Sequence, residues 1–109
     1  MSTRQDVVTC LTELGDLLSP SANQPSTLAG RMAWPALSRF ESAQAGWAYE
    51  ATWEVWVVLP GDDPAARDTW FEAHAVDIAE ALRPCLLVDT IERTVFGELP
   101  AALFTGRSE

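Results

Sequence analysis

Apolar and polar residues alternate most regularly between Tyr49 and Leu59. Tyr49, Ala51, Trp53, Val55, Val57 and Leu59 form one set, and Glu50, Thr52, Glu54, Trp56 and Val58 the other. This period of two predicts a strand over residues 48–59 with the first set facing a core. The second set starts polar and ends with Trp56 and Val58. An outward face that turns apolar midway is a candidate contact patch. The alternative is that the chain's own loops cover it.

Two segments follow a helical period instead. Val7, Leu11, Leu14 and Leu18, with Val8 beside them, predict a helix over residues 5–18 that Ser19-Pro20 ends. Pro60-Gly61 stops the central strand, and Asp62 or Asp63 then caps a helix with Pro64 in its first turn. That helix runs to about Arg83, before Pro84. Trp70, Phe71, Ala75, Ile78, Ala81 and Leu82 make its inner face. Arg67, Asp68, Glu72, Asp77, Glu80 and Arg83 make its outer one.

Residues 19–27 (SPSANQPST) are a loop by composition. Residues 28–40 predict a strand that Pro35 confines to an edge or a bulge, and residues 41–47 a turn or longer loop. Simple pairing with the central strand sets Trp34 opposite Glu54, and a bulge at Pro35 would shift this by one residue; the pattern leaves both open. Residues 85–96 predict a partly two-sided apolar strand, which suits a central position. Residues 101–105 predict a short last strand followed by loose residues. The expected fold is one α+β domain in the order α-β-β-α-β-β, with about four strands and both helices on one face.

Length fits this picture, since 109 residues suffice for one domain with a real core. Charge narrows the function. The formal net charge is −9, which argues against sequence-specific DNA binding, a mode that needs cations to displace phosphate counterions. Every basic residue is an Arg. That suits a GC-rich genome and also bidentate contacts between subunits. No window reaches membrane-spanning length and the N-terminus lacks a signal-peptide pattern, so cytosolic synthesis without a membrane is expected. Cys10 and Cys85, far apart in the chain, read as buried free thiols.

Candidate chemistry is sparse. His74 is the only histidine, and no nucleophile or orienting motif surrounds it beyond Asp77 three residues on. Asp62-Asp63 suits helix capping better than a hard cation, and Glu50 and Glu54 suit a solvated face better than paired catalytic carboxylates. The glycines form no phosphate loop and no zinc-ligand spacing occurs. No catalytic residue, metal or cofactor is expected.

The stretch PGDDPAARDTWFEAHAVDIAEALRP, residues 60–84, and the strand YEATWEVWVVLP before it, set in this element order, resemble a tail terminator protein of a long-tailed (siphovirus-type) actinobacterial bacteriophage. The resemblance covers nearly the whole chain but rests on arrangement, not on a diagnostic motif. It implies a non-enzymatic virion protein, assembled in the host cytoplasm and placed in the tail neck. Six copies would form a ring that caps the tail tube, stops its polymerisation and joins it to the head connector or stopper. Its partners would be further copies, the major tail tube protein and the connector, with DNA passing through the channel unread. At −9 per copy the ring would be strongly acidic. Heterologous contacts of such a ring would draw on Arg31, Arg39, Glu50, Glu54, Trp56, Val58 and Arg67. Rival expectations are another neck protein (stopper or adaptor), a ligand-binding module with a pocket lined by Trp53, Trp70 and Phe71, or, with least support, a His74-dependent enzyme.

Overall fold

The computed structural model describes residues 3–42 and 49–108. It is an α+β domain of two helices and a five-stranded mixed sheet. Helix α1 spans Arg4–Thr12 and is followed by a 3-10 turn at Gly15–Leu17. The strands are β1 (Ser19–Pro20), β2 (Met32–Ser42), β3 (Tyr49–Val58), β4 (Leu87–Phe96) and β5 (Leu99–Ser108). Helix α2, Pro64–Leu82, lies between β3 and β4 in sequence.

The helices start where the sequence provides caps. Thr3 and Asp6 form a reciprocal capping box at α1, with Thr3 Oγ1 accepting from the Asp6 N–H at 3.2 Å and Asp6 accepting from the Thr3 N–H at 2.8 Å. At α2, Asp63 Oδ1 accepts from the Ala66 N–H at 2.8 Å and Pro64 occupies the first helical position. Helix α1 is shorter than the period predicts. The chain tightens at Gly15, in the left-handed region at φ 62°, and Leu14 and Leu17 still pack on the core from the 3-10 turn.

Strand order across the sheet is β1-β2-β3-β5-β4, antiparallel except for β1 against β2. The count therefore exceeds the expected four by the two-residue β1 inside the predicted loop. The expected central strand, β4, is the edge. The expected short strand, β5, has ten residues, lies between β3 and β4, and carries the predicted loose tail to Ser108 in register. Close approach explains why Gly106 belongs in β5: a Cβ there would lie 2.9 Å from the Leu87 carbonyl oxygen and 3.2 Å from the Val88 Cα.

Trp34 pairs with Trp56, and the irregularity in β2 falls between Leu37 and Arg39, not at Pro35. The partner lies two residues from the Glu54 of simple pairing, so neither of the two open registers is adopted, although Trp34 keeps the face of Glu54. Of the predicted turn at residues 41–47, Glu41 and Ser42 belong to β2 and residues 43–47 lie outside the described residues.

Both helices cover one face. Val7 and Leu11 of α1 and Ile78 and Leu82 of α2 are fully buried against Val55, Val57 and Phe104. Arg93 of β4 forms an ion pair with Asp68 of α2. Cys10 and Cys85 are joined in a disulfide across 75 residues of chain, with Cα atoms 7.0 Å apart. This corrects the expectation of free thiols: α1 and the turn after α2 meet in the core, which brings together two cysteines that sequence distance keeps apart.

The outer edge of β2 is closed near the core. Arg31 O accepts from the Ser19 N–H at 2.8 Å and Ala33 O from the Ser21 N–H at 2.8 Å. Pro35 O accepts from Arg4 Nη1 at 2.6 Å. Pro35 itself has no N–H to leave unpaired, which is why a proline is tolerated there.

Candidate functional site

The outer part of β2, residues 37–42, runs along the start of β3 as an arm of the sheet that becomes two-stranded at residues 41–42 and 49–50, past the end of β5, and the molecule measures 48 × 25 × 21 Å. The irregularity at Ser38 gives β2 one extra residue, so Leu37 and Phe40 fall on the same side despite being three apart. That side is the one the helices cover lower down. On the arm the cover thins toward β2 and the tip: Leu37 is 39% exposed, Phe40 52% and Tyr49 59%, while Trp53 and Ala51, opposite Leu37 and Phe40, are buried. Tyr49 is on its expected face but outside the core, because the helical layer ends before it.

The other side of the arm is charged. Glu41 and Glu50 stand directly opposite each other, an arrangement that repels. Two arginines offset it. Arg39 Nε lies 2.6 Å from Glu41, and Arg107 Nη1 lies 3.7 Å from Glu50. Arg107 also forks onto Asp89 at 2.9 and 3.3 Å. The hydrogen bond and charge of Asp89 hold the Arg107 guanidinium above its ordinary, already high, pKa. The exposed pairs contribute little stability each and set the arm's polarity instead.

The seven expected contact residues do not form one patch. Arg39 and Glu50 lie on the arm and have partners within the chain. Glu54 lies lower on the same face, between Ala36 and Thr105. Val58 is buried and Trp56 half-buried. Phe96, at the end of the β4–β5 hairpin, stacks edge-on with Trp56 at 5.0 Å and with Trp34 at 5.1 Å. Val58 is 3% exposed and Trp34 also 3%. Arg31 enters β2 in the left-handed region at φ 72°, and Arg67 lies early in α2. Neither forms an ion pair with a described residue.

Of the three residues expected to line a pocket, Trp53 is buried in the core and Phe71 is half-buried against it, whereas Trp70, also half-buried, lines an open groove. That groove, of about 550 Å³, lies along α2 and is lined by Asp63, Ala65, Ala66, Thr69, Trp70, Ala73 and His74. His74 stacks on Trp70 with ring centres 5.0 Å apart. Because β3 leaves the arm and α2 begins just past Val58, this groove is at the opposite end of the sheet from the arm. Among the described residues no three His, Cys, Asp or Glu side chains are grouped to hold a metal, and no helix is long and apolar enough to cross a membrane.

Leu37 and Phe40 are absent from the expected contact set. Their spacing of three does not fit a strand until the extra residue at Ser38 is allowed for. The signal in the sequence is the pair of apolar residues flanking Ser38-Arg39 just after Pro35. Compared with known proteins, the chain matches no family model and no curated sequence.

Proposed function

We propose that this protein is a structural assembly subunit of the tail-terminator kind, a ring-forming cap on a phage tail tube that stops tube growth and joins the tail to the head connector. The number of copies, six, and the neck partners come from the resemblance of residues 48–84. DNA would pass through the ring without being read, and no catalysis or cofactor is involved.

The observation that carries this reading is the arm. A sheet arm with three exposed large apolar side chains on one side and a neutralised charge ladder on the other suits contact with another protein. A ring needs two different surfaces on each copy, one for each neighbour. The arm and the α2 groove lie at opposite ends of the molecule and so serve as two such surfaces. Within this reading Arg67, early in α2 and without an ion-pair partner among the described residues, is a charge left for a neighbouring copy.

The test replaces wild-type protein by Phe40→Glu in tail assembly. Tails of abnormal length are expected, together with an isolated variant that melts like the wild type. Tails of normal length overturn the proposal. The α2 groove also favours a second reading, a small ligand-binding module. That reading requires a monomer in particles and in solution whose melting temperature rises with ligand.

A further inference from the structure

The N-terminal segment, residues 3–21, has a distinct structural task. It covers Trp53 and closes the β2 edge through the Ser19 and Ser21 N–H groups and Arg4. Its helix, α1, has nine residues, too few to persist in water without a surface to dock on. The segment therefore stands or falls with its attachment. One attachment is covalent and lies at its middle, where Cys10 is bonded to Cys85 in the turn between α2 and β4.

We propose that the Cys10–Cys85 pair is a redox clasp on this segment. Closed, it holds α1 and β1 on the sheet. Open, as a dithiol, it leaves residues 3–21 held by non-covalent contacts alone, Val7, Leu11 and Leu18 in the core among them, so that the segment opens locally more often while β3, β5 and α2 stay folded. Cys10 is 8% exposed and Cys85 is more accessible, so Cys85 is the sulfur that a small thiol reaches. A glutathione thiolate attacks the Cys85 sulfur, forms a mixed disulfide and expels the Cys10 thiolate. A second glutathione thiolate attacks the glutathione sulfur of that mixed disulfide and expels the Cys85 thiolate. Two glutathione thiols become one glutathione disulfide, and their two electrons and two protons pass to the cysteine pair. Closure is the reverse, with glutathione disulfide as oxidant. A reducing compartment keeps the clasp open and an oxidising one closes it. The inference does not depend on the proposed role in tails.

The full chain is equilibrated with glutathione or with glutathione disulfide. Alkylation with mass detection then counts thiols, and hydrogen exchange is followed by fragment. Reduction is expected to add two alkylation sites and to speed exchange of the amides of Val8–Thr12, Ser19 and Ser21 by at least roughly tenfold, with much smaller changes in β3 and β5. The Cys10→Ala/Cys85→Ala variant is expected to show the reduced pattern in both buffers. If that variant does not fold, the two redox forms of the wild type supply the same comparison. Two alkylatable thiols persisting in glutathione disulfide, equal acceleration across the whole sheet, no acceleration at all, or a variant that still responds to glutathione would each overturn the clasp.

Discussion

Strands β2 and β3 carry an apolar face along their whole length, yet its two halves have opposite fates. Near the helices, Ala33, Val55 and Val57 are fully buried and Trp53 is 4% exposed. On the outer part of β2 and at the start of β3, the same face leaves Leu37, Phe40 and Tyr49 39–59% exposed, although Trp53 and Ala51 opposite the first two are buried. Composition does not separate the halves. The reach of α1 and α2 does, since the helical layer ends where Arg4 lies over the Trp53 ring at 5.7 Å. Apolar alternation thus states which side of a strand seeks cover, and a different part of the chain decides whether cover is supplied within the molecule.

Three substitutions sharpen this contrast. Phe104→Ala empties a fully buried site in the covered half and should cost about 3–5 kcal/mol in chemical denaturation. A cost near zero would mean that the covered half is not packed as described. Arg4→Ala acts at the border. It removes hydrogen bonds to Ala22 O at 2.8 Å and Pro35 O at 2.6 Å and the guanidinium over Trp53. A loss of about 2 kcal/mol is expected from the same measurement. Phe40→Ala on the arm should change the stability of the isolated chain by less than about 0.5 kcal/mol. A large loss there would show that the arm is folded back onto the body.

Local signals made part of this fold legible. Asp63-Pro64 before an apolar period and Pro84 after it define α2 almost to the residue, because caps and helix breakers act on their immediate neighbours. The strand from Tyr49 is equally plain. Sheet order is not, because β4 and β5 differ in place through pairings with residues some 50 positions away, and Gly106 resembles a strand breaker until the approach of Leu87 is seen. The contact surface was least legible. Trp56 and Val58 carry a correct pattern, but the stacking of Phe96 on Trp56 and Trp34 depends on where the end of the β4–β5 hairpin comes to lie, which no local signal states. Leu37 and Phe40 were hidden by the extra residue at Ser38. The disulfide joins positions that only the packing of α1 beside α2 brings near.

The bonded carbonyls of Arg31, Ala33 and Pro35 limit how copies of this chain can join through their backbones. β4 is left as one long free margin of the sheet, and the outer side of β2 beyond Pro35, residues 36–42, is a second that no described strand pairs. Strand addition of β4 to β4 would end at a pair, whereas β4 added to the β2 margin of the next copy could repeat. The side chains of the arm, which substitutions can retune without disturbing the ladder beneath, then bear on which of the two joins forms.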